Sequence, residues 1–193
     1  LSGIDNIFLK KKIGKDKFPG TRKISSLLVF KNNIIFSDDK GTIFHVNEKG
    51  KIIWKKNIYK KAYKKIYKNL VFSIYKNNVY VADNVGFIYS IDLQDGKLIW
   101  IKNHGIPLKS NIKVFKDKIF LINQDNRIIC LNIKDGSKIW DIRAISSFIK
   151  SQNFLSIAVT NEEDIVFINS AGDLIKTNLN YAQVHWSVNT SGS

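Results

Sequence analysis

The sequence is poor in cysteine, proline and methionine. It contains one Cys, two Pro and no Met among 193 residues. The single cysteine, Cys130, excludes a disulfide within the chain. No apolar stretch approaches the roughly 18 residues that a membrane-spanning helix needs. These absences exclude a disulfide-stapled domain and leave a chain whose apolar residues occur in short runs.

Arginine is also scarce, although the chain is strongly basic. Only Arg22, Arg127 and Arg143 occur, and lysine supplies the other basic residues of a formal net charge of +15. Two interpretations stay open. An AT-rich genome favours Lys, Ile and Asn codons and would give this charge without a function. Alternatively, the basic surface meets anionic lipid, nucleic acid or another acidic partner.

Tryptophan, by contrast, recurs at nearly constant spacing. The four tryptophans lie 46, 40 and 46 residues apart, and they are Trp54, Trp100, Trp140 and Trp186. The clearest copies of the surrounding motif are 95–100 and 135–140, both of which begin with Asp-Gly. The last copy, 181–186, keeps the tryptophan but begins with Tyr-Ala. A period of 40 to 46 residues is typical of an array of supersecondary units.

Each repeat also contains a four-residue Asx-x-x-Gly or Asx-x-x-Asn turn before its tryptophan. The first side chain can accept hydrogen bonds from the turn backbone, and the last position needs a positive φ, which Gly and Asn adopt most readily. These last positions are Gly41, Gly86, Asn126 and Gly172. Alternating apolar residues on both sides of each turn predict a tight hairpin.

Two further apolar segments in each repeat bring the count to four short strands per unit. Four strands per 40 to 45 residues are typical of a propeller blade. We therefore predict an all-β fold, a β-propeller with four four-stranded antiparallel blades. The predicted blades span about 24–58, 69–103, 110–143 and 152–189 within an array over 24–193. Residues 1–23 are predicted to form an N-terminal segment, either a partial blade or a closing strand.

These features together resemble the tryptophan-docking repeat of quinoprotein-like, or PQQ-like, β-propellers. The resemblance covers residues 24–189, which is nearly the whole chain. In that family the tryptophan packs between adjacent blades and bonds to a turn of the neighbouring blade. The resemblance therefore implies that all four tryptophans are structural staples between blades, and a buried indole with one N–H donor suits that role.

The family contains quinone-dependent dehydrogenases, several of which have a vicinal Cys-Cys disulfide over the cofactor and acidic calcium ligands. In this sequence Cys130 stands alone, and the acidic runs Asp38-Asp39 and Glu162-Glu163-Asp164 lie in or beside predicted turns. His45, His104 and His185 lack partners at the spacing of a zinc site. We therefore predict no catalytic, cofactor-binding or metal-binding residues and no small-molecule substrate. A fragment of a quinone-dependent dehydrogenase is kept as a third possibility.

The family's other class consists of non-catalytic scaffolds, and the chain is nearest in character to the BamB-like lipoproteins of outer-membrane assembly. The resemblance implies a protein-binding scaffold of the bacterial envelope, in the periplasm or anchored to the outer membrane. Its expected partners are proteins, including the outer-membrane assembly machinery. The resemblance concerns the repeats and not the loops, so it transfers no interface residue.

The segment after Trp54 interleaves lysine with tyrosine and gives an alternative function. Its candidate interaction residues are Lys55, Lys56, Tyr59, Lys60, Lys61, Tyr63, Lys64, Lys65, Tyr67 and Lys68. We expect the end of a strand followed by a helical or irregular loop. Such a loop would suit binding to an anionic lipid surface or another polyanion. The competing interpretation is a solvated connection whose tyrosines pack on the propeller.

Four blades are fewer than the seven or eight that usually close a ring of this family. Three arrangements stay open: a fragment of a longer propeller, half of an eight-bladed ring completed by a second copy, and a self-closed four-bladed ring. We favour the second for the isolated chain, because an unclosed array exposes a blade face and sheet edges.

Overall fold

The computed structural model describes residues 27–63, 65–143 and 149–190. These residues form four four-stranded antiparallel sheets, and their one short helix is the 3-10 turn Lys61–Tyr63. The prediction of an all-β, propeller-type fold is confirmed. The predicted N-terminal segment 1–23 lies outside the described residues.

The sheets follow one another along the chain, and within each sheet the strands are ordered as in the sequence. The first sheet consists of β1 (Leu28–Phe30), β2 (Asn33–Ser37), β3 (Ile43–Asn47) and β4 (Ile52–Lys56). The second consists of β5 (Leu70–Tyr75), β6 (Asn78–Asp83), β7 (Phe87–Asp92) and β8 (Leu98–Asn103). The third consists of β9 (Lys113–Phe115), β10 (Lys118–Ile122), β11 (Arg127–Asn132) and β12 (Lys138–Arg143). The fourth consists of β13 (Ile157–Val159), β14 (Asp164–Ile168), β15 (Asp173–Asn178) and β16 (Val184–Asn189).

The last strand of every sheet carries a bulge beside its tryptophan. In the third sheet Trp140 lies opposite Cys130, whereas the next residue of β11, Leu131, lies opposite Lys138. Ile139 is therefore the extra residue on β12. The same shift in register occurs in the other three sheets. The bulge is thus part of the repeat, and it fixes the strand position from which the indole projects.

The chain divides into two compact units, and the boundary between them falls between Asn69 and Leu70. The first unit contains the first sheet and the connection that follows it. The second unit contains the second, third and fourth sheets.

The third sheet is buried on both faces in the second unit. Ile119 and Leu121 of β10 join the core formed with the second sheet, and Phe120 and Ile122 join the core formed with the fourth. Because successive side chains of a strand point to opposite faces, a strand between two sheets is apolar at every position. The run Ile119–Ile122 is therefore fully buried.

Within the described ranges, no helix is both long enough and apolar enough to span a membrane.

Candidate interaction site

Trp100 shows the geometry that joins one sheet to the next. Its indole Nε1 donates a hydrogen bond to the carbonyl oxygen of Ile133 over 3.1 Å. Its ring lies on Gly136 in the turn between β11 and β12. A Cβ at Gly136 would lie 2.5 Å from the Cζ3 atom of Trp100, closer than side-chain atoms approach. The tryptophan of the second sheet is thus seated on a glycine of the third.

Trp140 lies at the equivalent position of the third sheet but lacks that hydrogen bond. The side chain is 9% exposed and belongs to the core shared with the fourth sheet. Its Nε1 has no hydrogen-bond partner among the described residues. The turn of the fourth sheet has Ala182 where the third has Gly136, and a methyl group there restricts how closely an indole can approach. Apolar packing alone therefore holds Trp140 in place.

The other two tryptophans differ in exposure. Trp54 is 8% exposed and meets the buried His45 ring edge-on, with ring centroids 5.2 Å apart. Trp186 is 41% exposed, and no sheet of the second unit packs on its side of the fourth sheet. Trp186 thus departs from the prediction, since it does not act as a staple in the described part of the chain.

The turns between the second and third strands of each sheet have the predicted geometry. In the second sheet, Oδ1 of Asp83 accepts hydrogen bonds from the backbone N–H groups of Val85, Gly86 and Phe87, each over 2.8 Å. The fourth turn position has a positive φ in every sheet, at Gly41, Gly86, Asn126 and Gly172.

Asn126 does more than replace a glycine. Its Nδ2 donates to the carbonyl oxygen of Ile149 over 2.6 Å, and its Oδ1 accepts from both N and Oγ of Ser170. Ser170 belongs to the corresponding turn of the fourth sheet, so the amide joins two neighbouring turns. The sequence explained only the backbone conformation, because these partners lie 23 and 44 residues away.

The Lys/Tyr segment is partly packed into the first unit. After β4 ends at Lys56, the connection contains the 3-10 turn Lys61–Tyr63. Tyr59 is 7% exposed, and its ring occupies the space where a Cβ of Gly41 would lie. The described lysines and tyrosine that stay exposed are Lys55, Lys60, Lys61, Lys65 and Tyr67. Lys64 lies outside the described residues.

The sequence predicted that Lys68 contacts an external surface, but this residue is fully buried and cannot do so. Its Nζ donates to the carbonyl oxygens of Tyr63 and Ile66, and it stands 4.7 Å from the centroid of the Tyr59 ring. The ammonium group of Lys68 therefore holds the backbone of this connection in place through its hydrogen bonds to the carbonyl oxygens. Tyr59 and Lys68 are therefore structural, which corrects their assignment as interaction residues.

A cleft lies where the second and third sheets meet in the second unit. It has a volume of about 540 Å³. Its walls are formed by Tyr75, Lys76, Asn78, Tyr80, Lys116, Asp117, Ile133 and Lys134. Ile133 is also the residue whose carbonyl oxygen binds Trp100, so the tryptophan contact fixes one wall of the cleft.

The cleft combines cations with a buried hydroxyl group. Lys76 has φ 53° and lies 5.4 Å from the centroid of the Tyr75 ring. Neither Lys76 nor Lys134 forms an ion pair with a residue in the described ranges. Tyr80 is 2% exposed and its hydroxyl accepts from Nδ2 of Asn78 over 3.2 Å. Burial raises the pKa of Tyr80, so this hydroxyl stays neutral and able to donate.

The cleft was not predicted from the sequence, although a signal exists. An aromatic residue followed by Lys and Asx occurs at three successive hairpin turns, 30–32, 75–77 and 115–117. In each, the lysine adopts a positive φ and lies 5.4 Å from the preceding ring.

The residues considered for catalysis are buried or paired with neighbours. Burial raises the pKa of Cys130 to about 12, so the thiol is neutral and unreactive at physiological pH. Glu162 and Asp164 each lie 2.9 Å from Nζ of Lys176, and His185 lies 3.7 Å from Asp164. The described residues contain no group of three or more His, Cys, Asp or Glu arranged to hold a metal ion.

Known proteins share both the repeat and the fold. A sequence model of the family described as outer membrane protein assembly factor BamB matches residues 12–142 and 84–193. A quinoprotein ethanol dehydrogenase from Pseudomonas putida is 26% identical over 72 residues, which make up 33% of this chain and 12% of that protein.

Two solved structures show the same architecture at low sequence identity. The crystal structure of BamB from Moraxella catarrhalis superposes with a TM-score of 0.71 at 12% identity, covering 84% of this chain and 47% of that chain. The computationally designed Ika4 protein superposes with a TM-score of 0.65 at 13% identity, covering 86% of this chain and 99% of that chain. This chain therefore spans about half of the solved BamB chain and a small part of the dehydrogenase.

The predicted resemblance to tryptophan-docking repeats is confirmed. Because the family model matches nearly the whole sequence, the chain belongs to the PQQ-like repeat family described as outer membrane protein assembly factor BamB.

Proposed function

We propose that this chain is a non-catalytic, protein-binding scaffold that acts in outer-membrane protein assembly in the bacterial envelope. The observation that carries the proposal is its membership of the family described as an outer-membrane protein assembly factor. The rigid sheets support it, since each strand pair holds its turns in fixed positions from which several loops can contact a partner.

The proposal places the protein in the periplasm, either free or anchored to the outer membrane. Its test is crosslinking in intact cells, followed by capture with an antibody to this chain and mass spectrometry. We expect components of the outer-membrane assembly machinery to be enriched over a sample from cells lacking the protein. Recovery from the cytoplasm alone, or capture without any such component, would contradict the proposal.

A second function rests on the exposed part of the Lys/Tyr segment. Lys55, Lys60, Lys61 and Lys65 remain available to an anionic surface, together with Tyr67. If this function holds, the protein binds vesicles containing phosphatidylglycerol, and the binding falls steeply as salt is raised. A packed protein interface depends much less on salt, so the salt response separates the two functions.

Catalysis with a quinone is the third candidate and has the weakest support. The described residues contain no acidic cluster for a cation, and the sequence has no vicinal cysteine pair. The dehydrogenase resemblance covers only 33% of the chain. Reduction of a redox dye by the purified protein with added quinone, calcium and an alcohol would overturn the non-catalytic proposal.

A further inference from the structure

We propose that the cleft between the second and third sheets binds a carboxylate group of an extended peptide segment from a protein partner. The inference rests on the proposed scaffold function and assigns it a site. The volume of about 540 Å³ falls within the range typical of ligand-binding sites and suits a side chain with its adjoining backbone.

Positive charge makes the cleft selective for an anion. Lys76 lines the cleft from the second sheet and Lys134 from the third, and neither forms an ion pair in the described part of the chain, although Asp117 lies within electrostatic range of Lys134. The other two charged residues of the cleft, Lys116 and Asp117, already pair with Glu163 and Lys118. The positive charge that no ion pair neutralises therefore lies at Lys76 and Lys134, where an incoming carboxylate would be attracted to both.

The hydroxyl group of Tyr80 adds a neutral hydrogen-bond donor to the site. Tyr80 lines the cleft although it is almost fully buried, and its hydroxyl oxygen accepts a hydrogen bond from Nδ2 of Asn78. Because Asn78 donates to this oxygen, the hydroxyl hydrogen can be donated either to the neighbouring Ser90 or to a carboxylate oxygen that enters the cleft. The ring of Tyr75 supplies an apolar surface beside the charges, against which the methylene groups of a peptide can lie.

The corresponding place between the third and fourth sheets is not built in this way. Phe120 occupies the position of Tyr80 and has no hydroxyl, and Phe115 occupies that of Tyr75. Glu163 of the fourth sheet lies 2.7 Å from Nζ of Lys116 and neutralises it. The anion site is thus specific to one junction and is not a general property of the repeat.

Two observations favour a peptide over a nucleic acid or a membrane. The acidic side chains of Asp117 and Glu163 lie in or beside the cleft and would repel a continuous run of phosphates. The two unpaired cations of the cleft can neutralise one isolated carboxylate, whereas binding to a polyanion usually uses many contacts along a basic stripe.

The test measures fluorescence anisotropy of a labelled peptide of alternating Glu and Thr, with a Gln/Thr peptide as the uncharged probe. The protein carries the double substitution Lys76→Gln with Lys134→Gln, or Tyr80→Phe alone. We expect binding of the Glu/Thr peptide to weaken by about tenfold or more in the double variant, since it loses two charge-assisted contacts. A loss of several-fold is expected for Tyr80→Phe, and Phe120 at the equivalent position indicates that the fold accepts the change.

The matched control is the double substitution Lys31→Gln with Lys49→Gln in the first unit. Lys31 has φ 49° and stands over Phe30 as Lys76 stands over Tyr75. The backbone N–H of Lys49 donates to Asn47 as that of Lys134 donates to Asn132. The control therefore removes the same net charge from equivalent turns, and we expect peptide binding to stay within about twofold of the unchanged protein.

Three results would overturn the inference: equal weakening in the control, equal binding of the Gln/Thr peptide, or retained binding in both cleft variants. Displacement of the peptide by glutarate at low concentration would indicate a site for small free acids. Displacement by phosphatidylglycerol vesicles or single-stranded DNA would indicate a lipid or nucleic-acid site.

Crosslinking in cells with the cleft variant separates the two proposals. Partner capture that survives while peptide binding is lost or absent leaves the scaffold function standing and removes only this site.

Discussion

At the scale of single residues, the Trp100 ring packs so closely on Gly136 that the Cβ of any other residue would clash with the ring. Gly136 has φ +71°, a conformation that side chains other than Asn and Asp rarely adopt. The indole ring covers the position that a Cβ would occupy. One glycine therefore meets two requirements, one of backbone conformation and one of space.

The first prediction concerns the substitution Gly136→Ala. We expect the free energy of unfolding to fall by about 2–4 kcal/mol, because the strain of a positive φ adds to overpacking against the ring. Urea denaturation followed by tryptophan fluorescence measures the change.

Gly105 provides the control, since it has φ +72° and no atom lies within 4 Å of its Cβ position. Gly105→Ala isolates the cost of the backbone conformation, which is about 1 kcal/mol. Equal losses for the two variants would show that the ring contact contributes nothing.

The second prediction compares two tryptophans at the same repeat position. Replacing Trp100 by Phe removes the hydrogen bond to Ile133, whereas replacing Trp140 by Phe removes an indole N–H that has no described partner. We expect Trp100→Phe to destabilise the protein by about 1 kcal/mol more than Trp140→Phe. Urea titrations of both variants measure the difference, and a larger loss for Trp140→Phe would contradict this account of the Ala182 turn.

The third prediction concerns Cys130 and pH. Because burial raises the pKa of this thiol to about 12, the folded state keeps it protonated while the unfolded chain ionises above about 9. Its contribution to stability is therefore complete below pH 9 and is lost as pH rises toward 12. The comparison is with Cys130→Ser, since Ser90 occupies this position in the second sheet. We expect the difference in unfolding free energy between the two proteins to shrink across that interval, and a constant difference would contradict the prediction.

At the scale of elements, the connection after the first sheet combines solvated lysines with a packed interior. Its tyrosines recur every four residues, yet Tyr59 is buried, Tyr63 half-buried and Tyr67 exposed. Lys68, one of the candidate interaction residues predicted from the sequence, is the most buried residue of the segment. A sequence pattern gives the composition of such a loop but not which side chains fold inward.

The fourth prediction tests this role of Lys68. We expect Lys68→Met to lower the free energy of unfolding by about 1–3 kcal/mol, because the carbonyl oxygens of Tyr63 and Ile66 lose their donor. Lys65→Met is the control, since Lys65 is exposed in the same connection. Thermal denaturation followed by circular dichroism measures both, and similar midpoints for the two variants would show that Lys68 is not structural.

At the scale of the whole molecule, the fourth sheet exposes a face whose equivalent in the third sheet is core. Phe120, Ile122 and Trp140 are buried, whereas Val166 and Ile168 are half-buried and Trp186 is 41% exposed. A shallow cavity of about 240 Å³ on this sheet is lined almost entirely by apolar side chains. The same face also carries Lys176, which lies opposite Trp186 and pairs with Glu162 and Asp164, so it is the apolar part of the face that favours association with another blade.

The fifth prediction is that the chain self-associates through this face. We expect light scattering after gel filtration to give a mass that rises with protein concentration, and Trp186→Asp to shift the protein toward the monomer. The free energy of unfolding of the monomer should change by less than about 1 kcal/mol, as is usual for exposed positions. A monomer at every concentration would remove the two-chain ring from the three arrangements.

Much of the fold could be predicted because its signals lie close together in the sequence. The turn at Asp83 depends on a side chain that bonds the backbone within four residues, and the strand before it is a short, mostly apolar run of six residues. The bond from Asn126 to Ser170 spans 44 residues, and that from Trp100 to Ile133 spans 33. The identity of such distant partners follows only from how the sheets pack. The anion cleft was missed for the same reason, since Lys76 and Lys134 meet only after two sheets come together.

The sequence by itself determined the repeat, the four sheets, the turn conformations and the family, because short-range patterning and backbone preference are local properties. The tertiary structure decided that Trp100 forms its hydrogen bond while Trp140 does not, that Trp186 stays exposed, and that Lys68 is buried. Identical residues at one repeat position differ in this way because each depends on the neighbouring sheet and its turn. Gly136 admits an indole at one junction, whereas Ala182 takes its place at the next.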